Sequence, residues 1–252
     1  MRRILAEFIE PPRACSYLPD QSASMEYRVM AGIGVEELER MLVRGWRRQG
    51  PVYFRPACVA CAECVSIRLP VDRFRPTASQ TRARRRCGRF RVVLARPTVD
   101  GERLALYAAW HAARERDRHW DPAPMDAEGY ARQFAFPHPA GWELSLRAGD
   151  RLVAVTLCDI TPRAWSAIFG FYSPEIANLS PGVAEVVLAV ELARERGIPY
   201  VYLGYRVAGC ASMRYKAGFQ PHELLQGLPG PDEIPRWVDS EIAVAGLARI
   251  EQ

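Results

Sequence analysis

The alternation of strand-like and helical patterns after residue 88 is the feature that most limits how this chain can fold. Apolar residues at helical spacing predict helices over 102–118, 126–136 and 182–196, and a short helix around 210–217. Apolar runs bounded by turn residues predict strands at RFRVVLAR, WELSLRA, RLVAVTLCDI, AWSAIFGFY and YVYLGY, with a last strand or loop from Phe219. The predicted order is therefore β-α-α-β-β-β-α-β-α-β.

That order resembles the Gcn5-related N-acetyltransferase superfamily. The resemblance implies an α/β (α+β) fold with a mixed sheet, in which two central strands, here around 165–172 and 200–205, part to open a cleft for an acyl donor and an amine. We place a domain boundary near residue 88. Residues 1–88 would form a smaller, cysteine-containing N-terminal domain, and residues 89–252 the acyltransferase-like domain.

The loop before the helix at 182–196 departs from that superfamily. Its members cradle a pyrophosphate of coenzyme A there, with a Gln/Arg-x-x-Gly-x-Gly/Ala pattern and the helix N-terminus. This chain has NLSPGVA over 178–184, with one glycine and no basic residue. Ser180 and Gly182 stay candidates for substrate binding at the helix start, but an ordinary acetyl-CoA site is poorly supported.

Three cysteines within seven residues form the densest cluster of metal-binding side chains. Cys58, Cys61 and Cys64 are each separated by two residues, and Cys15 is available as a fourth ligand. Structural zinc and iron–sulfur clusters are both held by thiolates that converge from short loops. The spacing predicts one of these two groups, and buried, inert thiols are the alternative.

Arginine supplies nearly all of the positive charge. The chain has 34 lysines and arginines, of which Lys216 is the only lysine, and its net charge is +5. No acidic residue lies between Asp72 and Asp100, although nine arginines do. Guanidinium groups bind phosphates in a bidentate manner, so this block predicts either a solvated basic surface or a nucleic-acid contact.

Four stretches together resemble the bacterial aspartate/glutamate leucyltransferase family, relatives of the eukaryotic arginyl-tRNA–protein transferases. The resemblance covers nearly the whole chain, from about residue 15 to residue 225. The four stretches are CSYLPDQSASMEYRV, GWRRQGPVYFRPACVACAECVSIRLPVDRF, SQTRARRR and YVYLGYRVAGCASMRYKAGFQPHELL.

The resemblance implies transfer of an amino acid from a charged tRNA to the N-terminal Asp or Glu of an acceptor protein, which marks that protein for degradation. The predicted partners are aminoacyl-tRNA and an acceptor with an acidic N-terminus. An aminoacyl ester is already activated, so the chemistry requires no cofactor, only alignment of amine and ester and support of the oxyanion. In the eukaryotic relatives the N-terminal cysteines hold an iron–sulfur cluster.

Within this scheme we assign Lys216 and Tyr215 to the active cleft, with Tyr172 and Tyr205 lining it. A single lysine among so many arginines indicates a position where arginine does not fit. The residues predicted to bind the acceptor carboxylate or the tRNA end are Arg47, Arg48, Arg55 and Arg68. Those predicted to bind the tRNA backbone are Arg82, Arg84, Arg85, Arg86, Arg89 and Arg91.

The chain departs from the family at three positions around the predicted cleft. Ser173 and Pro181 stand where we expect Asp and Leu, and Arg206 stands where we expect Trp. A lost anion and a new cation predict a preference for a more acidic ligand, with Arg206 among its contacts.

Three other functions are compatible with parts of the sequence. They are tRNA-dependent transfer to a small molecule or peptide, nucleic-acid binding by a non-catalytic metal-thiolate protein, and coenzyme A-dependent acetylation. The sequence has no apolar run of membrane-spanning length, and Glu7 and Glu10 interrupt any signal-peptide pattern, so we predict a cytoplasmic protein without a membrane partner.

Overall fold

The structure is a computed structural model that describes residues 3–240. The strands of this range are β1 (Arg3–Ile9), β2 (Arg13–Ala14), β3 (Ser22–Ala23), β4 (Met25–Ala31), β5 (Arg47–Gln49), β6 (Val52–Pro56), β7 (Val65–Pro70), β8 (Arg91–Ala95), β9 (Gly141–Ala148), β10 (Arg151–Ile160), β11 (Ala164–Tyr172), β12 (Tyr200–Arg206), β13 (Glu223–Leu225) and β14 (Trp237–Asp239). Its α-helices are α1 (Val35–Leu42), α2 (Ala78–Cys87), α3 (Gly101–Arg118), α4 (Ala127–Gln133), α5 (Pro181–Glu195) and α6 (Ala211–Arg214). No helix within residues 3–240 is both long and apolar enough to span a bilayer.

The large sheet has eight strands in the order β14-β13-β7-β12-β11-β10-β9-β8. Strands β11 and β12 run parallel, and the other neighbouring pairs are antiparallel. The parallel pairing joins Ala164 to Tyr200 and ends after two further pairs, at Ser166 and Tyr202. Beyond those residues the two strands part. The mixed sheet and the parted central strands confirm the predicted acyltransferase-like fold.

The predicted element order from β8 to β13 is confirmed, with bounds that shift by a few residues. The N-terminal region was less completely predicted. There β1, β4, β6 and β5 form a separate antiparallel sheet, and β2 and β3 form a short hairpin. Strand β7 lies between β12 and β13 in the large sheet and is buried along most of its length.

The predicted domain boundary near residue 88 does not coincide with a division between the sheets. Strand β7, from the predicted N-terminal domain, is hydrogen-bonded to β12 in the large sheet. Helix α2, from the same region, packs on α5. An independent N-terminal domain over residues 1–88 stays a prediction.

The arginine-rich segment forms helix α2, which the periodicity did not predict. Thr77 and Gln80 form a capping box: the Thr77 hydroxyl accepts from the Gln80 backbone N–H, and the Gln80 side chain accepts from the Thr77 N–H. Ala83 and Cys87 are buried on one side of the helix. The capping box and these small buried residues order the segment while its arginines stay outside.

Two hydrophobic clusters flank the cleft region of the large sheet. One includes Trp165 and Val201 and packs against α2 and α5. The other is aromatic and joins Tyr107, Trp110 and Phe134 from α3 and α4 to strands β10 and β11. Both clusters rest on β11, so the strand that borders the cleft is held by side chains from both groups of helices.

An ion pair links the two sheets across the interior. Arg48 of β5 donates to both carboxylate oxygens of Asp159 of β10, and both side chains are at most 5% exposed. A further guanidinium N–H bonds the Gly50 carbonyl at 2.9 Å. This bidentate contact fixes the N-terminal sheet against the large one.

We expect Asp159→Ala to lower the free energy of unfolding by about 3–5 kcal/mol, because it leaves the buried Arg48 guanidinium without its anion. Urea unfolding followed by circular dichroism measures the change. The matched control is Arg132→Ala, which removes an exposed ion pair to Glu128 and should change stability by no more than about 0.5 kcal/mol. Equal effects of the two substitutions would contradict the assigned role.

Candidate active site

The gap between β11 and β12 is an open cleft with a cavity volume of about 530 Å³. Its walls come from β10, β11, β12, α3, α5 and the segment 211–216. Tyr172, Tyr215 and Lys216 line it, and so do Ser180 and Gly182 at the start of α5. Five of the predicted site residues are therefore brought together.

Lys216 is buried in this cleft and supports the parted strand. Its ammonium nitrogen donates to the Tyr205 carbonyl at 2.8 Å, and only 9% of the residue is exposed. Burial, with a smaller contribution from the Arg47 charge, lowers the pKa of Lys216 to about 8. Gly204 has a φ of +77°, and a β-carbon there would lie 3.7 Å from the Lys216 nitrogen. Glycine thus allows the left-handed turn of β12 beside the lysine.

The predicted tyrosines occupy two different places. The Tyr172 hydroxyl accepts from the Arg114 guanidinium at 2.7 Å inside the cleft, and Tyr215 lies half exposed at its edge. Tyr205 does not line the cleft. Its hydroxyl donates to the Gly45 carbonyl at 2.8 Å on the other side of β12, where it lines a second cavity.

The loop before α5 offers no cation to a phosphate. A 3₁₀ turn over Pro174–Leu179 leads to Ser180, whose φ of +58° is left-handed, and α5 begins at Pro181. Glu175 is the one charged residue between 173 and 183. Glu175 pairs with Arg151 at 2.8 Å, and the segment itself supplies no basic side chain for a pyrophosphate.

The arginines predicted to bind substrate have partners within the protein and are absent from the cleft lining. Arg48 pairs with Asp159, as described above. Arg47 is buried and donates to the carbonyls of Trp46 and Gly204. The other two arginines also have internal partners. Arg55 pairs with Glu26 at 2.6 Å. Arg68 pairs with Glu223 at 2.7 Å and lies over the rings of Tyr200 and Trp237. Arg206, at the end of β12, is also outside the cleft lining.

Two arginines of α3 line the cleft and were missed by the sequence analysis. Arg114 lies 5.4 Å from the Trp110 ring centre and 5.5 Å from that of Tyr172, and Arg118 follows one turn later. Neither has a carboxylate partner within residues 3–240. The spacing of Trp110, Arg114 and Arg118 by four residues was the available signal, because it places all three on one helix face.

Five of the six arginines predicted to contact tRNA are exposed, either on helix α2 or just after it. Arg84 is the exception, since it is partly buried and pairs with Glu191 at 2.8 Å. The exposed members are Arg82, Arg85, Arg86, Arg89 and Arg91. At the end of this helix the Cys87 sulfur lies 3.9 Å from the Leu179 carbonyl, so the basic surface adjoins the loop that leads into the cleft.

The four N-terminal cysteines line one largely apolar cavity of about 450 Å³, together with Tyr17, Phe54 and Tyr205. Burial raises the pKa of the Cys64 thiol to about 12, which disfavours the thiolate. Within residues 3–240 no three His, Cys, Asp or Glu side chains are arranged to hold a metal ion. The four thiols thus share one cavity, and the zinc or iron–sulfur group predicted for Cys15, Cys58, Cys61 and Cys64 stays a prediction.

Two sequence families match this chain. Residues 13–82 match the family described as arginine-tRNA-protein transferase, N terminus, and residues 102–226 match arginine-tRNA-protein transferase, C terminus. Curated relatives named aspartate/glutamate leucyltransferase are similar over most of their length. The Halorhodospira halophila protein is 34% identical over 84% of this chain and 91% of the relative. The Campylobacter jejuni protein is 32% identical over 84% of this chain and 90% of the relative. The Helicobacter hepaticus protein is 28% identical over 92% of this chain and 97% of the relative.

Solved structures give more distant matches. The C-terminal domain of a putative lysylphosphatidylglycerol synthetase from Agrobacterium fabrum has a TM-score of 0.42 and 13% identity, over 69% of this chain and 53% of that one. The structure of FemX has a TM-score of 0.41 and 11% identity, over 72% of this chain and 63% of that one.

Because Lys216 is the only lysine, its ionisation can be read from one signal. With ¹³C-labelled lysine we expect the side-chain resonance to titrate with a midpoint near 8 in the folded protein, since burial disfavours the ammonium. In urea the same resonance should titrate near the ordinary value of 10.5. A folded-state midpoint near 10.5 would contradict the buried position.

Proposed function

Since the chain belongs to the arginine-tRNA-protein transferase family, we propose that it transfers leucine, or another amino acid, from a charged tRNA to the N-terminal Asp or Glu of acceptor proteins. Relatives over most of the chain carry the name aspartate/glutamate leucyltransferase. The product would be an acceptor longer by one residue, which marks it for degradation. Charged tRNA is a cytoplasmic donor, and we propose that the protein acts there.

The open cleft between β11 and β12 is the observation on which this proposal depends. It lies where two strands have lost their pairing, and it is large enough for the terminal aminoacyl-adenosine region to enter in part. The segment 173–183 carries one glutamate and no basic residue. This charge pattern supports an ester donor over a coenzyme A thioester, whose pyrophosphate needs cations or free backbone amides.

The reaction requires few chemical groups. The α-amine attacks the ester carbonyl carbon, a C–N bond forms, and the bond to the tRNA ribose oxygen breaks. Of the residues predicted to be catalytic, Lys216 and the hydroxyls of Tyr172 and Tyr215 line the cleft and can donate hydrogen bonds. We propose that they orient the ester and stabilise the oxyanion, with two Lys216 N–H groups remaining beyond the one given to the Tyr205 carbonyl.

We propose that Arg114 and Arg118 bind the acidic side chain of the acceptor. Arg114 is held between two aromatic rings and the Tyr172 hydroxyl, which orients its guanidinium within the cleft. A carboxylate is the natural partner of such a group, because the bond is charge-assisted and can be bidentate. This role replaces the one predicted for Arg47, Arg48, Arg55 and Arg68, whose partners are internal.

The exposed arginines of α2 support a path for the tRNA. The end of this helix contacts the loop that leads into the cleft, through Cys87 and Leu179. A backbone that lies along α2 would therefore reach the cleft with its terminal nucleotides. Contacts of this kind depend on phosphate charge, so binding should weaken as the salt concentration rises.

The decisive experiment is incubation with a mixture of charged tRNAs and reporter proteins that begin with Asp, Glu or Ala, followed by mass spectrometry. We expect a mass increase of one amino acid on the Asp and Glu reporters and none on the Ala reporter. Amino acid that leaves the tRNA but reaches only small molecules would favour the small-molecule alternative. Acetylation from acetyl-CoA with no tRNA-dependent product would contradict the proposal.

We expect Arg114→Gln to raise KM for an Asp-initiated acceptor by roughly ten- to a hundredfold, because a charge-assisted hydrogen bond contributes about 1.5–3 kcal/mol. The KM for charged tRNA should not change. Steady-state kinetics with Asp- and Asn-initiated peptides measure the effect, since the variant should lose most of the preference for Asp. The control is Arg116→Gln, an exposed position on the same helix outside the cleft lining. An unchanged Asp preference in Arg114→Gln would exclude the assignment.

A further inference from the structure

Glu185 is a buried carboxylic acid inside the cleft that the roles assigned so far do not use. It lies in the first turns of α5, is 4% exposed and lines the cleft. Its neighbours on the buried face of the helix are apolar or small, among them Ala184, Leu188 and Ala189. An ionised acid at such a position lowers the stability of the fold unless a hydrogen-bonded partner offsets the cost of its burial.

Its carboxyl has no charged partner within residues 3–240. One oxygen, Oε1, is fully buried and accepts no hydrogen bond. The Thr156 hydroxyl of β10 is the hydrogen-bonding group beside it. Gly170 of β11 leaves room next to the carboxyl: a β-carbon there would lie 3.3 Å from the Thr156 hydroxyl and 3.9 Å from Glu185 Oε2. The acid therefore has one unsatisfied oxygen in the cleft.

The groups around Glu185 come from each element packed there. Cys87 of α2 and Tyr215 are close enough for their ionisation to be affected by its charge. Other charged or titratable groups line the same cleft, namely Arg114 and Arg118 of α3, Tyr172 of β11 and Lys216. None of these cations forms an ion pair with Glu185.

We propose that Glu185 is a catalytic residue, the general base that takes a proton from the α-amine of the acceptor as its nitrogen attacks the aminoacyl ester. This inference rests on the proposed function and adds to it the residue that handles the proton. Its carboxyl lies beside Gly170 and the Thr156 hydroxyl on the wall of the cleft where amine and ester would meet, and this position is the supporting geometry.

Glu185 alone can carry out both proton transfers that the reaction requires within the cleft. The acceptor first loses its extra proton to solvent and binds as a neutral amine. Its nitrogen forms a bond to the ester carbon, and Glu185 accepts one N–H proton, which prevents expulsion of the amine. The carbon–oxygen bond to the tRNA ribose then breaks, and Glu185 returns the proton to that oxygen. The products are an amide and a free ribose hydroxyl, with Glu185 again a carboxylate.

The pKa of Glu185 suits both the acceptance of the proton and its return. Burial raises the pKa of Glu185 to about 8, and the Thr156 hydrogen bond lowers it by less than burial raises it. An exposed glutamate, with a pKa near 4.3, would be a weaker base by more than about three powers of ten. A base whose pKa lies near the working pH can both accept and return a proton.

The test is the pH dependence of kcat/KM between pH 6 and 9, for transfer from charged tRNA to an Asp-initiated peptide. In the wild type both Glu185 and the α-amine, whose pKa is also near 8, must lose a proton. The slope of log kcat/KM against pH should therefore approach two below pH 8. Glu185→Gln should show a slope of one, from the amine alone, and at pH 8 a loss of roughly 10²–10⁴-fold. The ratio of wild-type to Glu185→Gln kcat/KM should decrease towards pH 6, where wild-type Glu185 is itself protonated.

The controls separate a chemical role from a structural one. Glu195→Gln, on the exposed end of α5, should keep the wild-type rate and slope. Glu185→Asp should recover part of the rate and the slope of two. Thermal unfolding at pH 7 should show Glu185→Gln to be at least as stable as the wild type, because the raised pKa means that burial of the ionised acid costs stability above its unfolded-state pKa.

Two results would overturn the inference while leaving the proposed function intact: a wild-type slope of one, or a Glu185→Gln variant that transfers at the wild-type rate. The wild-type slope needs no variant, so it decides the question even if Glu185→Gln does not fold. A wild type that modifies no protein N-terminus at any pH would instead refute the proposed function, and this inference with it.

Discussion

Two buried cations replace strand pairing where β11 and β12 part, and the cleft depends on this replacement. Once parallel pairing ends at Ser166 and Tyr202, the carbonyls further along β12 need other donors. Lys216 donates to Tyr205 and Arg47 donates to Gly204. A buried carbonyl without a donor is costly, so the two cations allow an open gap in the middle of an eight-stranded sheet. The pairing of β12 with β7 shifts register over the same residues.

The same arrangement explains why lysine and arginine take different positions here. The Arg47 guanidinium spreads its donors over several acceptors and stacks near the rings of Tyr202 and Tyr205. Lys216 donates to a single carbonyl from inside the cleft, beside Gly204. The guanidinium thus serves several acceptors and the ammonium serves one.

Residue patterns predicted the frame of the site better than its contacts. Hydrophobic periodicity gave the order of elements and helix α5, because each depends on local spacing, and the resemblance to the acyltransferase superfamily implied the parted strands. The ion pairs could not be predicted in this way. Arg48 pairs with Asp159, and Arg68 pairs with Glu223, and each pair is separated by more than a hundred residues of sequence. An arginine that anchors two sheets looks the same in sequence as one that binds substrate. Glu185 was missed because it occupies the apolar face of a helix, where periodicity predicts core and a single acid does not change the pattern.

Strand β12 forms a wall common to the two cavities described above. Tyr205 extends its hydroxyl towards the side lined by the cysteines, while its carbonyl holds Lys216 in the cleft. One residue thus makes a hydrogen bond towards each cavity, through its side chain and through its backbone. Because packed interiors deform little, displacement of the Tyr205 ring by anything entering the cysteine-lined cavity would be transmitted to the lysine. We therefore expect the two cavities to be coupled through Tyr205.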